Sequence, residues 1–80
     1  MHYVYLIESI ADKTQRYVGI TADLKRRLKD HNSGTSPHTS KAKQWQLVTY
    51  VAFGDKAKTA AFEKYLKSGS GHAFAKKRLW

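Results

Sequence analysis

Three short stretches of the chain alternate their side chains in the way that β-strands do. They are residues 2–9 (HYVYLIES), 16–21 (RYVGIT) and 45–53 (WQLVTYVAF). In the first, Val4 and Leu6 fall on one face and Tyr5 on the other, because successive strand residues point to opposite sides. The intervening IADKTQ breaks the pattern, so the first two stretches predict a hairpin in which Tyr5 and Tyr17 share a face.

Capping and stop signals predict helices between and after these strands. The first is expected over residues 22–32, with Thr21 as its N-cap and Asn32, Ser33 and Gly34 as stop signals. Capped by Asp55, a second is expected over residues 56–67 and stops at SGSG, after which HAFAKKRLW predicts a short third helix. The polar, proline-containing SGTSPHTSKAKQ predicts a loop.

The order β-β-α-β-α-α predicts the α+β class, with a three-stranded and mainly antiparallel sheet flanked by helices. A length of 80 residues, without an internal repeat or a linker, predicts one domain over residues 1–80. Such a chain buries only about 60–65% of the surface that it exposes when unfolded. The core is therefore expected to be small.

Charge and composition narrow the class of partner. Fifteen Lys and Arg against six Asp and Glu give a net charge of +9, which favours a polyanion such as nucleic acid. No apolar run reaches the roughly 18–20 residues that a membrane-spanning helix needs, and the N-terminus lacks the apolar core of a signal peptide. A cytoplasmic location without membrane contact is expected. The absence of cysteine and of HExxH spacing argues against disulfides and structural zinc.

The predicted first helix places two basic residues on its apolar side. On a wheel of about 100° per residue, Arg27 and His31 lie on or beside the seam made by Leu24 and Leu28. The remaining charged residues of this helix point away from the seam, as a solvated face does: Lys25, Arg26, Lys29 and Asp30. If the helix packs on the tyrosine side of the hairpin, Arg27 and His31 converge with the two tyrosines.

Structural alternatives exist for each of these side chains. Arg27 could pair with an acid of the same chain instead of a phosphate, since its planar fork suits either anion. His31 could be a core imidazole bonded to the backbone, and the tyrosines could be ordinary aromatic packing. Among the acids, Glu63 remains after turn and capping roles are assigned. It could pair with Lys67, which composition favours, or bind a hard cation.

Four ordered blocks of the sequence resemble the GIY-YIG nuclease superfamily, and its short, single-domain bacterial members most. The blocks are YVY at residues 3–5, YVG at 17–19, LKRRLKDHN at 24–32 and FEKYLK at 62–67. Together they span nearly the whole chain. The resemblance implies the catalytic set Tyr5, Tyr17, Arg27, His31 and Glu63, with Glu63 holding a divalent metal ion.

Hydrolysis of a phosphodiester needs a base, charge stabilisation on the phosphate and help for the leaving oxygen. The implied set assigns Tyr17, ahead of Tyr5, as the base, provided that nearby cations lower its ordinary pKa of about 10. Arg27 would clamp the phosphate, and Mg²⁺ or Mn²⁺ on Glu63 would act at the leaving oxygen. His31 would assist the base or hold the phosphate.

The sequence also departs from the family pattern. Tyr3 stands where the name of the family has glycine, and Val4 and Val18 stand where it has isoleucine. Some relatives carry a lysine at the position of Ile20, and HAFAKKRLW offers no match to an asparagine that some relatives have after the last helix. These departures concern the residues that the resemblance would assign to metal binding and substrate positioning.

Other basic residues are expected to contact the nucleic-acid backbone, which gives affinity without sequence choice. They are Lys25, Arg26, Lys29, His38, Lys41, Lys43, Lys76, Lys77 and Arg78. Without a recognition module, substrate choice would rest on DNA shape or on a partner protein, and RNA is not excluded. The alternative functions are a nucleic-acid-binding module of the same fold with little or no catalysis, and a basic protein-interaction domain.

Overall fold

A computed structural model of the chain describes residues 1–34 and 44–80, and within them it has three strands and three helices. They follow in the order β1 (His2–Ser9), β2 (Arg16–Thr21), α1 (Leu24–Ser33), β3 (Trp45–Phe53), α2 (Lys56–Leu66) and α3 (Gly69–Arg78). This is the predicted β-β-α-β-α-α arrangement of the α+β class, and all three strands have the predicted bounds. His38, Lys41 and Lys43 lie outside the described residues.

The sheet has the order β2-β1-β3, and both pairings are antiparallel. Tyr5 of β1 lies opposite Gly19 of β2, and Ile7 lies opposite Tyr17. Between Leu6 and Ile7 the register with β3 shifts by one residue, which is a β-bulge. Because β1 is the central strand, its middle residues are covered on both faces.

Helices cover the two faces of the sheet differently. Val4 and Leu6 of β1 point toward α2 and α3, where they form a core with Leu66 and Ala75. The alternate residues Tyr5, Ile7 and Tyr17 point to the opposite face, where Leu24 and Leu28 of α1 pack against them. The chain therefore has two small cores that share one central strand.

The predicted start of the first helix is wrong by two residues. Thr21 belongs to β2, and its hydroxyl accepts a hydrogen bond from the backbone N–H of Asp23 at 3.0 Å. Asp23 is the N-cap instead, because its carboxylate accepts from the N–H of Arg26. At the other end, Gly34 adopts a left-handed conformation with φ of 79°, which ends the helix at the predicted stop signal.

The third helix begins earlier than the sequence predicts, inside the SGSG stretch. Ser68 is its N-cap and accepts from the N–H of Gly71, so Gly69 and Gly71 are helical residues and do not form a linker. A Cβ atom at Gly71 would lie 1.7 Å from the carbonyl oxygen of Tyr65. Gly71 is therefore the point at which α3 approaches the end of α2 closely.

Two contacts join the ends of the helices to β3. The Asn32 side chain both donates to the carbonyl of Trp45 and accepts from its N–H, and the hydroxyl of Thr49 donates to the carbonyl of Leu79. Within residues 1–34 and 44–80, no helix has the length and apolarity to cross a bilayer.

Candidate active site

Tyr5 lies at the centre of the face that α1 covers. Its side chain is 2% exposed, and its ring extends across β2 above Gly19. A Cβ atom at Gly19 would lie 2.5 Å from the Tyr5 hydroxyl oxygen and 2.9 Å from the Tyr17 ring. Only glycine leaves room for both rings at this position.

In the sequence, Gly19 was identified only as part of the YVG block, and no role was predicted for it. The signal that could have found it is a glycine in the middle of a strand, because such a position often marks a close approach of another group. The predicted pairing of residues 2–9 with 16–21 would then have set Tyr5 opposite it.

His31 and Arg27 of α1 both contact the Tyr5 hydroxyl. His31 is fully buried, and its Nε2 atom lies 2.7 Å from the hydroxyl oxygen. The Nε–H of Arg27 donates to the same oxygen at 3.2 Å. The helical wheel correctly places both residues on the side of α1 that faces the sheet. The alternative for His31 was a core imidazole bonded to the backbone, and the structure shows it in contact with a tyrosine hydroxyl.

Tyr17 completes this cluster on β2. Its ring centroid lies 6.2 Å from that of Tyr5 and 5.1 Å from that of His31. Tyr17 also interacts electrostatically with Arg27. In contrast to Tyr5 it is only half-buried, and it lines an open groove of about 610 Å³ that continues toward α2 and α3. Of the two tyrosines, Tyr17 is the more accessible.

Burial and charge act in opposite directions on Tyr5. Removal from water raises the pKa of Tyr5 above its ordinary value, and the hydrogen bond from Arg27 offsets this only in part. The same hydrogen bond raises the pKa of Arg27, which therefore stays cationic. Tyr5 accordingly keeps its proton at neutral pH.

Arg27 keeps part of its guanidinium accessible. Its side chain is 34% exposed, and Nη1 lies 3.9 Å from a carboxylate oxygen of Asp30. Asp30 was expected to face solvent; its side chain is 40% exposed, and it also makes this weak i,i+3 pair at the edge of the cluster. An ion pair at that distance and exposure stabilises the fold by no more than about 1 kcal/mol, so an incoming anion can displace it.

Glu63 lies on α2, the helix that packs on the other face of the sheet. Its carboxylate forms an ion pair with Lys67, the structural alternative that composition favours. Lys67 and Tyr17 both line the groove, although the Tyr17 ring packs on the α1 face of the sheet and Glu63 lies on the other face. The structure thus brings Tyr5, Tyr17, Arg27 and His31 into mutual contact and places Glu63 beside Lys67.

The donor set for a metal ion is sparse. Among the described residues there is no group of three or more His, Asp, Glu or Cys side chains that could hold one. Glu63 is 21% exposed, which leaves its carboxylate open to water and to a second ligand. A single accessible carboxylate fits Mg²⁺, because that ion keeps several waters and completes its shell with substrate phosphate.

The remaining predicted contact residues that the structure describes are exposed and lie on two helices. Lys25, Arg26 and Lys29 project from α1, and α3 carries a second basic group at its end, namely Lys76, Lys77 and Arg78. These groups flank the two faces of the sheet. Among the described residues, no acid lines the groove that lies between β2 and α3.

Comparison with known proteins identifies the family of the chain. The model of the GIY-YIG catalytic domain matches residues 1–77. The chain belongs to the GIY-YIG family. It is 32% identical over 68 residues to a UPF0213 protein of Haloquadratum walsbyi, a match that covers 84% of this chain and 74% of the relative.

A solved structure has the same fold. The solution NMR structure of a UPF0213 protein from Bacillus halodurans superimposes with a TM-score of 0.56 at 30% sequence identity. The match covers 95% of this chain and 82% of the other. Membership in the GIY-YIG family indicates a nuclease-type function and nucleic acid as the partner.

Proposed function

We propose that this GIY-YIG protein is a divalent-metal-dependent endonuclease that hydrolyses phosphodiester bonds in DNA. The observation that carries the proposal is the convergence of Arg27 and His31 on the buried hydroxyl of Tyr5, beside the ring of Tyr17. Such a set adds little to the stability of a core, because the hydrogen bonds of a buried polar group contribute only slightly more than the free energy that its desolvation costs. The arrangement suits a phosphate better than it suits a core.

Tyr17 is the general base in this mechanism. It is half-buried on the edge strand β2, is among the residues that line the groove, and interacts with the cationic Arg27. Tyr5 is unsuited to the same task, because burial raises its pKa and its hydroxyl already contacts two partners. Tyr5 is therefore a positioning residue.

Arg27 clamps the phosphate. The Tyr5 hydroxyl accepts from its Nε, and a bidentate contact to phosphate oxygens would replace the interactions that its terminal nitrogens make with Asp30 and Tyr17. The weak pair with Asp30 keeps the fork oriented until an anion replaces it. His31 is fully buried and holds the Tyr5 hydroxyl in place. Because that hydroxyl accepts from Arg27, His31 affects the phosphate only indirectly, through Tyr5 and Arg27.

Glu63 would hold the divalent cation, Mg²⁺ or Mn²⁺, and such a cation supplies Lewis-acid stabilisation of the leaving oxygen. For this, the carboxylate must exchange Lys67 for the cation. Lys67 is more than half exposed, so its ammonium can move into the groove without leaving a buried charge unpaired. Cation binding is expected to be weak without DNA, because one carboxylate provides few ligands.

The first test compares two adjacent arginines of α1. Arg27→Ala should reduce cleavage by at least about 100-fold, as does the loss of a donor that stabilises the charge of a transition state. Arg26→Ala, which removes an exposed charge, should mainly weaken DNA affinity and reduce the salt slope by about one unit. Cleavage of labelled single-stranded, duplex and branched DNA and RNA with Mg²⁺ or Mn²⁺ measures turnover, and DNA binding without metal over a salt titration measures affinity and the salt slope. Equal losses of turnover would contradict the role of Arg27.

The second test concerns Glu63. Glu63→Gln should lose nearly all cleavage over a full Mg²⁺ and Mn²⁺ titration and still bind DNA, because the amide cannot hold the cation. Its free energy of unfolding should change by only about 0.3–0.5 kcal/mol, the usual contribution of an exposed i,i+4 pair. Asp12→Asn, which neutralises an exposed turn carboxylate, is the matched control and should cut at the parent rate.

Cleavage by Glu63→Gln at the parent rate would remove the metal from the mechanism. The binding module without catalysis is the second candidate, and the Glu63 pair with Lys67 favours it, because an occupied carboxylate is not a ready metal ligand. Salt-sensitive DNA binding without metal-dependent cleavage of any substrate would establish that function instead.

A further inference from the structure

The groove beyond Tyr17 has a composition that neither the fold nor the tyrosine cluster requires. It lies between β2, α2 and α3 and has a volume of about 610 Å³, within the range of cavities that bind ligands. Its floor is apolar and includes Val18, Leu66 and Ala75. Cationic side chains form its walls: Arg16, Lys67 and Lys76, together with His72.

An aromatic ring also lines the groove. This ring is Trp80, which is half-buried against the α2 and α3 core. The guanidinium of Arg16 lies 4.8 Å from the centroid of the Trp80 ring, and Glu8 holds the same guanidinium at 3.5 Å. The Glu8 carboxylate therefore helps to hold the cation over the indole, and together they form a cationic and aromatic surface.

An anion with a flat, apolar portion is the ligand that such a groove fits. The cationic walls attract phosphate, and the aromatic and apolar surface can stack against the face of a planar ring. A base inside a duplex cannot do so, because both of its faces are stacked and only its edges reach the grooves. An unpaired nucleotide offers both the phosphate and the ring face.

We propose that this groove binds an unpaired nucleotide of the substrate, adjacent to the phosphodiester at Tyr17. The base packs on the Arg16 and Trp80 surface, and its phosphates lie near Lys67 and Lys76. The substrate strand is then single-stranded on one side of the cleaved bond. This inference deepens the proposed function and rests on it for the position of the cleaved bond, but binding in the groove can be measured without cleavage.

The test is binding without metal, with EDTA present, of a labelled oligothymidylate and of a hairpin duplex with the same number of phosphates. The single strand should bind more tightly and should quench tryptophan fluorescence. Trp45 is buried under α1 on the other face of the sheet, so Trp80 should be the ring that responds.

Two adjacent lysines of α3 provide the matched pair of variants. Lys76→Ala should weaken binding of the single strand about 3- to 10-fold and reduce its salt slope by about 0.7, the value for one single-strand phosphate contact. Lys77 lies outside the groove, so Lys77→Ala should weaken single-strand and duplex binding equally and by less. Because both lysines are exposed, neither variant threatens the fold.

Trp80 variants test the stacking surface. Trp80→Leu should abolish the quench and weaken single-strand binding about 5- to 100-fold, the range for loss of one stacked base. Trp80→Phe keeps a ring and should retain most of the affinity. Thermal unfolding checks that both variants fold. If they do not, the comparison of Lys76→Ala with Lys77→Ala tests whether the groove binds the single strand.

Cleavage assays then separate failure of this inference from failure of the proposed function. Duplex binding as tight as single-strand binding, with equal effects of Lys76→Ala and Lys77→Ala, overturns the nucleotide site even if the protein cuts DNA. Selective single-strand binding that depends on Lys76 and Trp80, without cleavage of any substrate, supports the site and overturns the nuclease. Selective binding together with cleavage next to an unpaired segment supports both.

Discussion

The two faces of the sheet are built on opposite principles, although β1 supplies the centre of both. Toward α2 and α3, Val4 and Leu6 pack against aliphatic side chains in an apolar core. Toward α1, Tyr5 meets a buried histidine and an arginine. The alternation along one strand therefore separates the residues that stabilise the fold from those that form the candidate site.

The difference indicates how a chain of 80 residues carries a polar site without losing its fold. Burial of aliphatic side chains stabilises a protein by about 25 cal/mol per Å², whereas a satisfied buried hydrogen bond contributes only about 1 kcal/mol net. The apolar face should therefore dominate stability, and the tyrosine face should dominate function. Substitutions on each face test this division.

The largest effect is expected on the apolar face, at Gly71. Gly71→Ala places a methyl group 1.7 Å from the Tyr65 carbonyl oxygen, which is backbone and cannot rotate away. Separation of α3 from α2 would follow, so we expect a loss of about 3 kcal/mol or more in the free energy of unfolding, at the upper end for overpacking. Urea denaturation measures it.

Gly69 provides the control for this change, because it lies in the same helix and a Cβ atom there would meet nothing within 4 Å. Gly69→Ala should leave stability unchanged or raise it by up to about 1 kcal/mol, the difference in helix propensity. Equal stability of the two variants would show that the contact between α2 and α3 does not hold the apolar face together.

A smaller loss of stability, joined to a loss of function, is expected at Gly19 on the tyrosine face. The methyl group of Gly19→Ala would clash with the hydroxyl end of the Tyr5 ring and with the Tyr17 ring. Both are side chains, so they can relieve the clash by tilting. We expect a cost of about 1–3 kcal/mol, and cleavage by the folded protein should fall because the Tyr5 hydroxyl moves away from Arg27.

Gly54→Ala is the matched control for Gly19→Ala, since a Cβ atom at Gly54 also meets nothing within 4 Å. Stability and cleavage should both stay near the parent values. Full cleavage by the Gly19→Ala protein would mean that the position of the Tyr5 ring does not matter to the reaction, and the proposed positioning role of Tyr5 would be wrong.

The sequence predicts the strands and the side of α1 that faces the sheet, because both follow from the spacing of residues along the chain. Leu24, Leu28 and His31 repeat at helical spacing, and Tyr5 and Tyr17 fall on one face by alternation alone. The ends of the helices were less predictable. Thr21 and Asp23 are both good N-caps, and the choice between them depended on how far β2 continues.

Contacts between distant elements could not be predicted in the same way. That Gly19 lies under the Tyr5 ring depends on the direction in which that ring turns across β2, and the groove depends on how closely α3 approaches α2 at Gly71. The partner of Glu63 was among the alternatives because Lys67 lies four residues away on the same helix. Local spacing thus predicted pairs within an element, while packing between elements required the structure.

The smallest effect is expected from the ionisation of Tyr5. Burial raises its pKa in the folded protein above the ordinary value of about 10 that it has when unfolded. Between those two pKa values the folded state binds more protons than the unfolded state, so the free energy of unfolding falls as pH rises through this window. Below about pH 10 the contribution of Tyr5 to stability is fully present.

Comparison with Tyr5→Phe isolates this contribution, since every other side chain is the same in both proteins. At neutral pH the Phe variant should be less stable by about 1–3 kcal/mol, because the buried Nε2 of His31 loses the hydroxyl partner. The gap should narrow as pH rises above about 10, and urea denaturation of both proteins from about pH 8 to about pH 11 measures it. A gap that widens instead would mean that Arg27 stabilises a Tyr5 phenolate more than burial opposes it. Tyr5 would then replace Tyr17 as the proposed base, and the tyrosine face would hold its reactive group at its buried centre and not at the half-buried Tyr17 on the edge strand.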